Sequence, residues 1–437
     1  MRLAVENSHT ALGGNLLGRD IAGRLRGYIL SLYSKLIPVK AIAPDLGGEG
    51  ELDRALLVED ALRELGLRPT RVDAKDERAK GGVRPNILAL VPGELETPRV
   101  WIVAHIDTVP EGDPSLWRYP PYEATVVDDR VYGRGAEDDL QGVVEALGLV
   151  YALRELGLRP TVPIGLAFVS DEEAGSHYGL RYLLERNVWG RPDEDWFIVP
   201  DAGSSDGSVM LVAEKHILWM KVTVYGRQGH ASMPDRALNA LRHGMRLALL
   251  LDEALHKEFT EYDDLFDPPV STFEPTRKPE NVQNINTIPG VDTLFWDNRV
   301  LPSIAPERVE KLFKAIAYNY ASMNEVRVNV ETVARDEAGS ATPPNHPLVE
   351  ALAEAVKATR GVKPRPRGIG GGTVARYLRR RGYPAVVWMT CDETAHQPNE
   401  YARLSYIVRD IETLLYFYTS HTWKKLQKLS AAGGAAQ

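Results

Sequence analysis

The chain has one cysteine, Cys391, in 437 residues. A lone thiol excludes an intramolecular disulfide framework and suits a reducing compartment, so a cytoplasmic protein is expected. No stretch approaches the ~18 uninterrupted apolar residues of a membrane span. Glu6 also stands where a secretory peptide needs an apolar run. Basic excess is lacking too: 52 Lys and Arg against 60 Asp and Glu leave a net charge of −8, which argues against a nucleic-acid surface. The length is too great for one hydrophobic core, so two domains are the default expectation.

Strand-like runs at residues 86–91, 99–104, 164–169 and 196–199 alternate with helical patterns at 20–36, 52–65, 142–156 and 178–186. Short apolar strands alternating with helices predict an α/β fold, a mostly parallel mixed sheet with helices on both faces. The style then changes. A long strand at 216–225, a helix at 237–259, a strand at 293–299, a helix at 306–320 and a strand at 325–334 predict a self-contained α+β unit. After Asp336 the first style returns, with helices at 348–359 and 374–381, a strand at 385–390 and a last helix from about Glu400. The expected organisation is catalytic domain 1–213, inserted domain 214–335 and returning catalytic segment 336–437, with hinges near Ala213 and Asp336. Residues 430–437 are small and polar and are expected to be disordered. The Arg-rich helix at 376–381 hints at thermostability through ion pairs.

Several acidic and imidazole groups sit just past strands or in Gly-marked turns, where open α/β sheets place ligand sites. His105 and Asp107 close Val100-Trp-Ile-Val-Ala-His-Ile-Asp-Thr-Val109. His105 would ligate a metal; Asp107, on the same face if the strand continues, would orient the imidazole. Asp138 lies in Tyr132-Gly-Arg-Gly-Ala-Glu-Asp-Asp, where one carboxylate can bridge two cations; the bland alternative is a helix N-cap, a role that suits Asp139. Ser170-Asp-Glu-Glu-Ala-Gly175 gathers acidic groups that repel unless a cation neutralises them. Glu173 can bind that cation while Glu172 takes a proton from water, although an exposed acidic turn explains the motif equally well. Asp201 follows the strand in Phe197-Ile-Val-Pro-Asp-Ala-Gly203, and His396 lies in Thr390-Cys-Asp-Glu-Thr-Ala-His-Gln-Pro-Asn-Glu400. Each has a common structural explanation; their joint occurrence points to a metal of the zinc type.

With these motifs assembled, the chain closely resembles the di-zinc amidohydrolase and peptidase family of acetylornithine deacetylase, succinyl-diaminopimelate desuccinylase, aminoacylase and glutamate carboxypeptidase. The resemblance runs from Gly47-Gly-Glu-Gly-Glu51 to the last helix. It implies a zinc-peptidase-like catalytic domain and two divalent metal ions, zinc above all, with cobalt or manganese as alternatives. His105 and Asp201 would hold one ion, Glu173 and His396 the other, and Asp138 both. Glu172 would be the catalytic base and Asp107 its supporting partner. A cis peptide bond at Asp138–Asp139 is implied as well. Leu140-Gln141 stand where many members have Lys-Gly, a departure from the well-studied branches.

In Gly226-Arg-Gln-Gly-His-Ala-Ser-Met-Pro234 the resemblance makes His230 a catalytic donor to the developing oxyanion, often in the partner subunit's site, and Asn239 opens the following helix. Asn286 and Arg299 match positions that grip substrate, and a guanidinium there suits a carboxylate, or equally a surface ion pair. Gly368-Ile-Gly-Gly-Gly-Thr373 lacks the preceding strand of a dinucleotide loop; Gly371, Gly372 and Thr373 are expected to line the substrate carboxylate. The expected reaction is metal-assisted hydrolysis of an N-acyl-amino acid, with a dipeptidase or carboxypeptidase as alternative and a non-catalytic metal-binding protein as the third reading. A small-molecule or short-peptide substrate, a homodimer through the inserted domain, and no nucleic-acid or membrane partner complete the expectation.

Overall fold

The computed structural model describes residues 17–420 and residues 422 and 423. Glu6 and the expected disorder of residues 430–437 lie outside the described residues. The chain divides into two compact units. The first takes the described residues up to Val212, Thr342–Pro366 and those from Thr373 on; the second takes Ala213–Ala341 and Arg367–Gly372. The short return of Arg367–Gly372 to the second unit leaves no mark in the sequence pattern.

The first unit holds an eight-stranded sheet, apart from the strand ends 213–214 and 367–369, in the order Thr70–Lys75, Val83–Val91, Ile164–Val169, Arg99–His105, Asp195–Gly203, Ala385–Met389, Val209–Glu214, Arg365–Ile369. Its four central strands run parallel, and Val83–Val91 and Val209–Glu214 flank them antiparallel. Ile164–Val169 and Ala385–Met389 are buried at every position, the continuous apolar run that a sheet covered on both faces demands. Helices Gly18–Leu36, Leu140–Leu156, Pro347–Arg360 and Leu404–Thr419 pack on one another against this sheet, and Ala375–Arg380 packs on its strands separately.

In the second unit, strands Thr272–Arg277, Val291–Val300, His216–Tyr225 and Arg327–Asp336 pair antiparallel in that order. Alternation along His216–Tyr225 turns Leu218, Met220, Val222 and Val224 inward. They pack with Leu247, Leu251 and Leu255 of helix Ala240–Glu258 and Val309 and Phe313 of helix Pro306–Asn324. Asn239 caps the first helix, its side chain accepting from Arg242 N at 3.0 Å. Asn239→Ala is expected to cost about 1 kcal/mol, read as a lower denaturant midpoint with unchanged slope; an unchanged midpoint would deny the cap any weight.

Two expectations need correction. The last helix starts at Leu404, not near Glu400, because Tyr401–Arg403 pairs as a strand with Arg130–Tyr132. The strand carrying His105 stops at that residue, so alternation does not place Asp107. Arg376 and Arg379 are buried, and Arg379 donates to the carbonyls of Leu211 and Ala385. It ties strands together. Among the described residues no helix is long and apolar enough to cross a membrane.

Candidate metal centre

His105 ends strand Arg99–His105, Ser170-Asp-Glu-Glu follows strand Ile164–Val169, and Asp201 sits late in strand Asp195–Gly203. These strands are parallel neighbours with His105 opposite Val169, so their last residues meet at one edge. Asp138 comes from the loop before helix Leu140–Leu156, and His396 from the loop after Ala385–Met389.

The structure brings five side chains together as two trios. His105, Asp138 and Asp201 form one and Asp138, Glu173 and His396 the other; within each trio the potential ligand atoms lie within 4.8 Å of one another. His105 Nε2 is 2.8 Å from Asp138 Oδ1 and 3.7 Å from Asp201 Oδ1. His396 Nε2 is 3.0 Å from Glu173 Oε1 and 3.1 Å from Asp138 Oδ2. The Asp138 carboxylate therefore turns one oxygen to each imidazole.

The electrostatics show what such a pocket demands. Hydrogen bonds to Asp138 and Glu173 push the His396 imidazole up to about 10. Burial opposes a charge on His105, yet Asp107, Asp138 and Asp201 together raise it well above the ordinary imidazole range. Burial likewise opposes ionisation of Asp138, but the two imidazoles hold its carboxyl below the usual range. The carboxylates thus draw positive charge to two adjacent points. Mixed imidazole and carboxylate donors there fit divalent cations of the zinc, cobalt or manganese type.

The backbone around the donors is fixed by carboxylates. Asp107 accepts from the amides of Glu172 and Glu173, each at 3.0 Å, while His105 Nδ1 lies 3.1 Å from its carbonyl oxygen. Asp107 therefore anchors the acidic turn as well as the imidazole. Asp139 is the expected N-cap, accepting from Gly142 N, and its other oxygen accepts from His105 N. The Asp138–Asp139 bond is cis. Gly135 holds φ +81°, and a Cβ there would lie 2.4 Å from Thr108 Cγ2. Asp171 and His396 both take left-handed backbone, φ 67° and 63°, unfavourable for non-glycine residues and concentrated at functional sites.

Glu172 is half-buried, and among the described residues its carboxylate has no hydrogen-bond partner. Burial raises its proton affinity well above the usual carboxylate range; His105 pulls the other way, while Asp201 and Glu173 add to the rise.

Sequence reasoning missed Glu137, Arg134 and the part played by Glu400. Glu400 is buried and binds Arg134 Nη1 at 2.6 Å, and Glu137 accepts from Asp392 N at 3.0 Å. The available signal was adjacency: Glu137 precedes Asp138, and Glu400 ends the His-Gln-Pro-Asn-Glu run. Buried Arg84 likewise pairs with Glu51, from the early Gly-Glu motif, and reaches Asp171 at 3.1 Å.

In the second unit, exposed His230 sits in strand Gly229–His230, which pairs with Thr287–Ile288, and its Nδ1 is 2.7 Å from Ser232 Oγ. Asn286 lies alongside, its carbonyl accepting from Ala231 N at 2.9 Å. Arg299 pairs with Asp297 through two contacts of 2.7 and 2.9 Å and donates to Gly370 O at 3.0 Å, beside Gly371 and Gly372. Thr373 falls in the first unit, buried, its hydroxyl accepting from Ala375 N.

Over 401 residues the chain is 36% identical to an uncharacterized metallohydrolase of Methanocaldococcus jannaschii, covering 88% of this chain and 97% of that one. Over 395 residues it is 24% identical to succinyl-diaminopimelate desuccinylase of a Sulfurovum species, covering 89% and 99%. Human carnosine dipeptidase 1 shares the fold with a TM-score of 0.69 at 17% identity, covering 94% of this chain and 100% of that one. The sequence profile of Peptidase family M20/M25/M40 matches residues 101–420, so the chain belongs to that family and is a metal-dependent hydrolase.

Proposed function

We propose that the protein uses two divalent cations, zinc above all, to hydrolyse the amide bond of an N-acyl-amino acid. The observation that carries this reading is the Asp138 carboxylate with one oxygen toward each histidine. His105 and Asp201 would hold one ion, Glu173 and His396 the other, and Asp138 both. When bound, such a pair supplies Lewis acidity toward water and toward the scissile carbonyl.

The chain's own groups do the rest. Glu172 takes a proton from water and passes it to the leaving amine, standing beside Glu173 without belonging to either trio of potential ligands. Asp107 keeps that turn in register through the two amides it binds. His230 is the donor to the developing oxyanion. His230→Ala is expected to retain the metals and lose about 100- to 1,000-fold in turnover; undiminished turnover would return His230 to a structural role. Asn286, Arg299 and the Gly371–Gly372 backbone are the proposed contacts for the substrate's carboxylate end.

The relationship to a desuccinylase favours deacylation. Membership of a peptidase family favours the second reading, cleavage of a dipeptide or of a carboxy-terminal residue. Assay of the purified protein, loaded with zinc, cobalt or manganese, on N-succinyl- and N-acetyl-amino acids and on dipeptides decides between them. Release of amine from acyl-amino acids alone is expected; cleavage of peptides alone would replace the deacylase reading. A homodimer through the second unit is part of the same proposal. Met245, Leu249 and Leu250 stand exposed along helix Ala240–Glu258, with Leu249 66% exposed, and support it. Light scattering at twice the chain mass is the expected result.

A further inference from the structure

We propose that Glu400 and Glu137 are positioning residues that lock the loop carrying Asp138 to the loop carrying His396. The shared carboxylate and one imidazole are thereby placed as a single body. This rests on the two-cation reading above.

Each carboxylate reaches across to the other's loop. Glu400, four residues beyond His396, accepts through Oε1 from the amides of Glu137 and Asp138, both at 3.0 Å. Its Oε2 accepts from Gly135 N at 3.0 Å and Arg134 Nη1 at 2.6 Å. Glu137, beside Asp138, accepts in return from Asp392 N at 3.0 Å and from Thr394 N. Residues 134–138 and 392–400 are thus joined twice, in opposite directions, through side chains only 2% and 1% exposed.

Stability alone is a poor reason for this arrangement. A buried charge is costly unless its lone pairs are met, and an apolar pair of similar volume often serves the fold as well. What the two carboxylates add is direction. Asp138 N, on the bridging residue itself, is one of the four N–H groups held by Glu400. The opposite loop has Glu393, His396 and Asn399 at φ 60–63°, a backbone that persists only when its surroundings over-determine it. Glu137 supplies that restraint at residues 392 and 394. Groups that orient a metal's ligands are the ones whose loss is felt in metal affinity.

The two acids act on different donors, which makes the proposal testable without turnover. Co²⁺ is titrated into metal-stripped, full-length protein by calorimetry, with the visible absorption spectrum followed in parallel. Wild type comes first: fewer than two Co²⁺ per chain removes the two-cation reading itself. Glu137→Gln sets an amide NH₂ against a backbone N–H and releases the His396 side. One of the two binding events is expected to weaken about 10- to 100-fold while the other stays. Glu400→Gln releases the shared Asp138, and both events are expected to weaken. Wild-type binding in both variants, or equal weakening of both events by Glu137→Gln, overturns the proposal while the two-cation reading stands. Loss of native near-ultraviolet circular dichroism in both variants also overturns it, because positioning residues leave the fold in place.

Discussion

Glu172→Gln is expected to lower kcat by about 100- to 10,000-fold while metal content stays at the wild-type level. Glu172 belongs to neither trio of potential ligands, so the substitution leaves both sets of donors intact. Its backbone amide is held by Asp107 at 3.0 Å, and that bond does not depend on the side chain. Glutamine keeps the volume and removes the ability to accept and return a proton. Amine release under saturating substrate, with metal content by mass spectrometry on the same sample, reads both halves. Near-normal kcat would take the proton-transfer role away from Glu172. Low kcat with metal lost would make it a ligand instead.

Asp138→Ala is the second large effect. On the two-cation proposal, removing the shared carboxylate would leave each cation two side chains, His105 with Asp201 and Glu173 with His396. Protein zinc sites use three or four protein ligands, so both half-sites fall below what holds a cation. Metal affinity is expected to drop by more than the roughly 10- to 100-fold that loss of a supporting partner costs, and turnover to fall to the uncatalysed background. Buried His105 and exposed His396 would also lose the acceptor that now lies 2.8 and 3.1 Å from them. Two tightly held cations in Asp138→Ala would show that the carboxylate bridges nothing.

The side chains that the structure gathers into the two trios were legible where a local pattern carries them. His105, the Glu172–Glu173 pair and Asp201 come at the ends of buried strands, where apolar runs give way to charge. The helix pair and long strands of the second unit were legible for the same reason, since their periodicities of 3.6 and 2 are carried by neighbours in sequence. Strand Thr272–Arg277 was not: Glu274, Pro275 and Arg277 are exposed and break the alternation, and Pro275 sits on an edge strand that tolerates it. Strand Thr70–Lys75, largely exposed at the other sheet's edge, escaped in the same way. The supporting acids were invisible for a different reason. Glu400 grips amides more than 260 residues earlier, and an amide offers no side chain whose type could announce the contact. Asp107 was found, but for one of its two tasks only; the bonds to Glu172 and Glu173 depend on where the strand stops.

The most direct test of the paired-cation centre is a crystal structure of the zinc-loaded protein with anomalous scattering measured at the zinc edge. Two peaks about 3.5–4 Å apart are expected, with an Asp138 oxygen on each, His105 and Asp201 on one and Glu173 and His396 on the other. A single peak among these residues, or two peaks that Asp138 does not join, would contradict it.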